Sequence, residues 1–458
     1  MKMIFDVKDK PKFGQLIVFA IQQLLAIMAA TLVVPVIIGN GMSPAAALFG
    51  AGVGTLVYVL FTKAKSPVFL GSSFAFLGSM AAAFAGGVSM QLGYIGLIFG
   101  AIFAGLVYVI IALVVKLVGV NWINKIMPAV VIGPTVAIIG LSLAGNAVGD
   151  LTKGSVVSAE NVPVASPLLA ILCGLVTLAV TMICSTYGKK FIKLIPFIIG
   201  ILAGYAVALI LTLIGNASGI DAMKILNLAP FAALVENGVT LKTFISVPDF
   251  TFLTAAKGFG DLNATYIISI AVAYIPVAFV VFAEHIADHK NISSIIEKDL
   301  LVEPGLARTL LGDGVGSMVG AFFGGCPNTT YGESVACVAI TRNASVYTII
   351  TAAIGAILIS FINPFVAFVN SIPSCVMGGV CMALYGFIAV SGLKMIQSVN
   401  LEKNRNLFVV STILIAGIGG LQISIGPITL TSIACALILG ILANVLLSKS
   451  KEEDADQE

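Results

Sequence analysis

The residues best suited to chemistry stand together in Glu284-His285-Ile286-Ala287-Asp288-His289. On a helix, Glu284 and Asp288 are one turn apart, as are His285 and His289, so titratable groups cluster on two adjoining faces. His285 and His289 are the only histidines in the chain. Imidazole changes charge near neutral pH, and chains of carboxylate and imidazole groups are the usual proton relays of pumps and cotransporters. Two more acidic residues, Asp313 and Glu333, lie inside or at the edge of apolar runs. A charge at bilayer depth costs at least about 2.5–3.5 kcal/mol, so residues of this kind face a cavity or a partner. The plainer roles are an ion pair joining two helices for Glu284 and a helix cap for Glu333. Asp313, between Gly312 and Gly314, reads equally as an interfacial residue or as a contact to another helix.

The elements that must position these groups are membrane-spanning helices. The chain has 458 residues, of which 59% are hydrophobic and 10% charged, and its mean hydropathy is +1.10. Soluble proteins carry roughly 25% charged residues, so this surface must face lipid, which excludes soluble enzymes and nucleic-acid-binding modules. The net charge of +3 is too small to argue for an acidic partner. Seven cysteines are scattered without a C-x-x-C pair, which suggests neither a disulfide framework nor a metal site. No cofactor is implied, and no enzyme, since no Ser/His dyad or metal-ligand set falls on facing spans. The Lys-rich start, Met1 to Phe13, runs into an apolar stretch too long for a cleavable signal, so a first span is expected there.

A spanning helix needs about 20 mostly apolar residues. Apolar segments fall near 14–38, 45–62, 68–86, 92–117, 127–147, 166–184, 194–215, 264–288, 309–325, 327–340, 345–369, 375–392, 406–422 and 427–447. Basic residues occupy the amino-terminal tail and the connection after every second segment, with Lys153, Lys224, Lys242 and Lys257 as the exceptions. Basic residues stay on the cytoplasmic side, so both termini are expected in the cytoplasm of a cell-membrane protein. The expected fold is an all-α polytopic membrane protein with fourteen spans. The polar stretch 216–263 divides seven spans from seven, and an odd number per half forces the second half in from the opposite face, as in an inverted repeat. Residues 1–215 would form the first repeat, 216–263 an extracellular connection, 264–447 the second repeat and 448–458 a cytoplasmic tail.

Two segments break the helical pattern at comparable places in the halves: Gly71-Ser72-Ser73-Phe74-Ala75-Phe76, and the run from Gly324 through Cys326-Pro327-Asn328-Thr329-Thr330-Tyr331-Gly332 to Glu333. Small residues at such places also serve close helix crossings. Pro327, Asn328 and Glu333, however, are expensive in lipid, and non-helical backbone survives at depth only inside protein or beside a water-filled cavity. A pair of interrupted spans is the best sequence pointer to a transporter's binding site. The carboxylates there accept from N–H donors, and the free N–H groups of half-helix starts donate to carbonyl oxygens. A planar molecule with alternating N–H and C=O groups, such as uracil or an oxopurine, satisfies both sets, with Phe74 or Tyr331 covering its ring. Sugars need more hydroxyl-binding side chains, and a fixed anion would be repelled by two Glu.

At these residues the chain resembles the nucleobase/ascorbate transporter family, in particular its bacterial uracil permeases. The resemblance runs through Gln22-Gln23-Leu24-Leu25-Ala26, Val34-Pro35-Val36, Leu70 to Phe76, Ala283-Glu284-His285, Lys298-Asp299-Leu300-Leu301, Pro304-Gly305-Leu306 and Pro327 to Glu333. It implies a core domain of spans one to four and eight to eleven and a gate domain of spans five to seven and twelve to fourteen. It also implies short antiparallel strands in spans three and ten, proton symport and a homodimer. By position, Glu284 and Glu333 would hold the base through their carboxylates, Phe74 and Gly332 would contact it through backbone groups, and Tyr331 would flank it. His289 would belong to the proton-coupling network, with His285 and Asp288 as its neighbours. The family signature carries Asn where this chain has Ser334, and Gly where it has Ala336, which makes Ser334 a candidate for tuning selectivity. A xanthine or oxopurine carrier on the same scaffold is the rival substrate reading, and an anion transporter of the same architecture a more distant one.

Overall fold

In a computed structural model of the chain, the described residues are 3–119, 128–158, 162–189, 191–236, 238–425 and 428–449. The basic residues Lys2, Lys125, Lys190 and Lys451, and the tail from position 450, lie outside them. The molecule is mostly helical. Its principal helices are α1 (Phe13–Ile38), α2 (Pro44–Phe61), α3 (Leu77–Ala83), α4 (Met90–Val118), α5 (Ala129–Ser142), α6 (Ala144–Leu151), α7 (Pro167–Tyr187), α8 (Pro196–Ser218), α9 (Ala264–Ile296), α10 (Leu306–Gly324), α11 (Gly332–Thr341), α12 (Val346–Ile359), α13 (Ser374–Ile396), α14 (Asn404–Ile418) and α15 (Ser432–Leu446). Among the described residues, eight helical stretches are long and apolar enough to cross a membrane, and five shorter apolar ones accompany them.

Local chemistry sets where these helices begin. Ser43 caps α2 by accepting from Ala46 N at 3.2 Å, and Pro44 follows at the first helical position, where a missing N–H costs nothing. Ser89 caps α4 and Asn263 caps α9 in the same way. The last of these helices runs 33 residues, through Pro276 and on to Ile296, so the 284–289 cluster lies within one continuous helix.

The two interrupted segments meet. Strand β1 (Leu70–Ser72) pairs antiparallel with β2 (Asn328–Thr330), with Leu70 opposite Thr330, Gly71 opposite Thr329 and Ser72 opposite Asn328. Ser73 N donates to Pro327 O at 2.9 Å and Tyr331 N to Phe69 O at 3.3 Å, which extends the ladder by one bond at each end. Gly71 is required by this crossing, because a Cβ there would lie 2.4 Å from the Tyr331 ring. A second two-stranded ribbon, β3 (Ile423–Ile425) with β4 (Ile428–Leu430), precedes α15.

The helices pack as two groups. In the first, α2 and α10 cross at glycines so closely that a Cβ on Gly50 would sit 2.3 Å from Gly320 O, and α4 meets α10 at Gly105. Helices α1, α9 and α12 and both central strands join this group. In the second, α5 crosses α13 at Gly140 and Gly392, α7 packs on α8 and α13, and α14 packs on α5 and α15. Small residues at such crossings let backbones approach within a membrane, where dispersion rather than the hydrophobic effect drives association.

One end of the molecule gathers the amino-terminal segment and several connections. Lys298 pairs with Asp6, Lys65 with Glu303, and Ile4 N donates to Arg342 O just beyond α11.

Candidate functional site

Where the strands end, the chain turns back into helix on both sides, through a short 3-10 turn Phe74–Phe76 after β1 and through α11 after β2. The first N–H groups of a helix have no intrahelical partner, so both segments offer donors at the crossing. Against them lies a cavity of about 450 Å³, whose lining includes Phe74, Glu284, Asp288, Tyr331, Gly332 and Glu333. The structure therefore brings six of the sequence-derived candidates to one surface, with carboxylates from α9 and α11 converging on it. Asp288 is held by Thr330 Oγ1, which donates to its Oδ2 at 2.8 Å. At Gly332 an added Cβ would meet no atom nearer than Asp288 Oδ1 at 3.9 Å, so the backbone there is open to the cavity.

Tyr331 is only 4% exposed, and its hydroxyl donates to Ser72 O at 2.7 Å. The ring braces the crossing, while Phe74 stands edge-on to Tyr385 of α13, with centroids 6.0 Å apart, at the junction of the two helix groups.

The remaining candidates point elsewhere. One residue along a helix is a rotation of about 100°, and that offset turns His285 and His289 away from the cavity and into the packing of α9 against α2 and α10. His285 Nδ1 lies 2.7 Å from Asp313 Oδ2 and its Nε2 3.0 Å from Thr309 Oγ1. His289 Nδ1 donates to His285 O at 2.8 Å, and its Nε2 lies 2.7 Å from Tyr58 Oη, itself 2.7 Å from Ser66 Oγ. The two imidazole rings stack 4.0 Å apart, fully buried. Ser334 is likewise turned from the cavity: its Oγ accepts from Gln23 Nε2 and, at 3.0 Å, from Phe69 N, tying α1 and the approach to β1 onto α11.

Other lining residues carry no distinguishing signal in the sequence. Ser73 and Thr329 have hydroxyls that are buried without a partner among the described residues. Lys193, Ser185 and Ser391 line the cavity from the second helix group. No group of three or more His, Cys, Asp or Glu able to hold a metal occurs among the described residues. A bundle of long apolar helices, interrupted around a carboxylate-lined cavity, defines a multi-pass membrane protein.

Residues 14–426 match the Permease family (Xan_ur_permease). The chain is 38% identical to the uracil permease of Bacillus subtilis (strain 168), covering 99% of this chain and 98% of that protein. It is 36% identical to the uracil permease of Escherichia coli (strain K12), covering 95% and 92%. The chain belongs to the Permease family. Among solved structures, it is similar in fold to the transmembrane domain of a cyanobacterium bicarbonate transporter, BicA, with a TM-score of 0.62 at 14% identity, over 96% of this chain and 99% of that one. The murine Solute Carrier 26 family member A9 anion transporter, in its inward-facing state, is similar at a TM-score of 0.61 and 10% identity, over 96% and 69%.

Proposed function

We propose that the protein imports a nucleobase, uracil, across the cell membrane together with protons. The observation that carries this reading is the convergence of Glu284, Asp288 and Glu333 on the helix starts beside the β1/β2 crossing. Ring N–H groups meet carboxylate acceptors there, and ring carbonyls meet backbone donors at Phe74 and Gly332. The near full-length similarity to uracil permeases supports the choice of base. Tyr331 supports the site from behind. Asp288 in the cavity and the stacked His285 and His289 behind it form the proton-handling side of α9 in this reading.

The separation of the helices into two packed groups supports a core domain of spans one to four and eight to eleven and a gate domain of spans five to seven and twelve to fourteen, in a seven-plus-seven inverted repeat. Both termini are cytoplasmic and the working unit is a homodimer in this proposal. The cavity opens among exposed Lys193, Ile340 and Ser391, and Ile340 is two residues from Arg342, at the end rich in basic connections. An inward-facing state is the corresponding assignment, with transport by alternating movement of the two groups.

An oxopurine offers the same alternation of donors and acceptors, and remains the rival substrate. Likeness in fold to anion transporters does not carry their substrates here, because three carboxylates in one cavity repel an anion. Calorimetric titration tests the assignment. Glu284→Gln is expected to abolish uracil binding, since its amide is a weaker acceptor and turns an N–H toward the ring. Near-native affinity in the folded variant would remove Glu284 from the site.

A further inference from the structure

We infer a second contact for the base on the wall opposite the carboxylates: Lys193, with Ser185 and Ser391, takes the carbonyl edge of the ligand at the mouth of the cavity. The inference rests on the nucleobase reading above and adds a binding station to it.

The cavity has two chemically different walls. Glu284, Asp288 and Glu333 all belong to the first helix group, on α9 and α11. The second group lines the cavity mainly with Val136, Ile139, Leu194, Phe197 and residues of α13, and its polar members are Ser185 at the end of α7, Lys193 before α8 and Ser391 on α13. No carboxylate lies on that wall among the described lining residues. Lys193 is exposed and makes no ion pair or hydrogen bond among the described residues, and the hydroxyls of Ser185 and Ser391 are equally without partners there. An ammonium carries three donors and no acceptor, and each hydroxyl adds one donor.

A pyrimidine-2,4-dione places a carbonyl on the side of the ring away from an N–H edge held by carboxylates. Once it leaves the backbone donors at Phe74 and Gly332, that oxygen is the one free to meet the second wall. As the two groups move past one another, the base held by the first group passes Lys193 on its way to the mouth, and the ammonium takes over part of its hydrogen bonding before release. Charge-assisted bonds of this kind exceed neutral ones, although exposure at the mouth reduces the gain.

The test uses the full chain in proteoliposomes of known orientation, with the substrate KM measured separately from each face. Lys193→Met is expected to raise the uracil KM roughly fivefold from the Lys193 face, the effect of one ordinary hydrogen bond, and to leave the opposite face unchanged. The thio analogue with sulfur in place of the C4 carbonyl oxygen is a poor acceptor, and the same substitution should affect its transport much less. Lys193→Arg should restore the uracil value. An equal effect on uracil and on the thio analogue would reduce Lys193 to a general electrostatic influence and overturn the inference, as would an equal effect at both faces or none at either. Failure of the unaltered protein to move uracil from either face would instead overturn the uracil assignment on which the inference rests.

Discussion

At the scale of single residues, the register of a helix decides which side chains can touch a ligand. Glu284 and Asp288 reach the cavity, and the residue after each faces the interior of the first helix group. The same offset separates Glu333 from Ser334. The presence of this cluster was legible from residue type and spacing, because few acidic residues are tolerated in apolar helices. Which of two adjoining faces would meet the cavity was not, since that depends on partners distant in sequence: Thr330 for Asp288, Tyr58 for His289 and Gln23 for Ser334. The position of Ser334 also alters what its substitution should do. Its oxygen accepts from two buried donors, so Ser334→Ala should lower stability by about 1–3 kcal/mol, read as a drop in the thermal unfolding midpoint in detergent. A selectivity change against xanthine at unchanged midpoint would contradict this role and return Ser334 to the ligand site. Lys193, Ser185 and Ser391 do not stand out in the sequence because a lysine beside a span and serines within apolar helices are ordinary; only the fold brings them to the cavity.

At the scale of elements, the interrupted segments were the clearest signal. Gly71 to Phe76 and Gly324 to Glu333 could not continue as lipid-facing helices, and they pair as strands at the centre of the molecule. Their register was not legible, for three-residue strands carry too little pattern to fix it. The extension of α9 to Ile296 carries the helix past the apolar segment 264–288, and the absence of any Gly or Pro between Pro276 and Ile296 permits it. The β3–β4 ribbon was missed: Ile423-Ser424-Ile425 fell between the apolar segments 406–422 and 427–447, and Ile428-Thr429-Leu430 was absorbed into the second of these as part of a last span. Helix crossings make a sharper demand than hydropathy. Gly50→Ala would place a Cβ 2.3 Å from the Gly320 carbonyl oxygen, a backbone atom that moves only with its helix. A loss of about 1–3 kcal/mol is expected, seen as a lower unfolding midpoint. An unchanged midpoint would mean that α2 and α10 are free to separate without cost.

At the scale of the whole molecule, the proposed transport cycle depends on movement of one helix group against the other, with the cavity shared between them. Leu194 before α8 and Cys337 on α11 belong to a small apolar cluster that also includes Ala26 and spans the two groups. Leu194→Cys therefore places a thiol from one group in the same cluster as the native Cys337 of the other. Oxidation of that variant with a disulfide-forming reagent should arrest transport, and reduction should restore it, while the unaltered protein keeps its rate under both treatments. Transport that persists in the cross-linked protein would show that the groups work without sliding at this seam. The charge pattern of the sequence anticipated a polytopic chain, but could not show how helices distant in sequence sort into two groups, because that sorting is encoded in glycine contacts between particular pairs. The central claim, a proton-driven carrier for uracil, is tested most directly by uptake of radiolabelled uracil into proteoliposomes with and without an imposed inward proton gradient. Accumulation above the equilibrium level is expected only with the gradient, with stronger competition by unlabelled uracil than by xanthine or hypoxanthine. Gradient-independent equilibration, or preferential competition by the oxopurines, would contradict it.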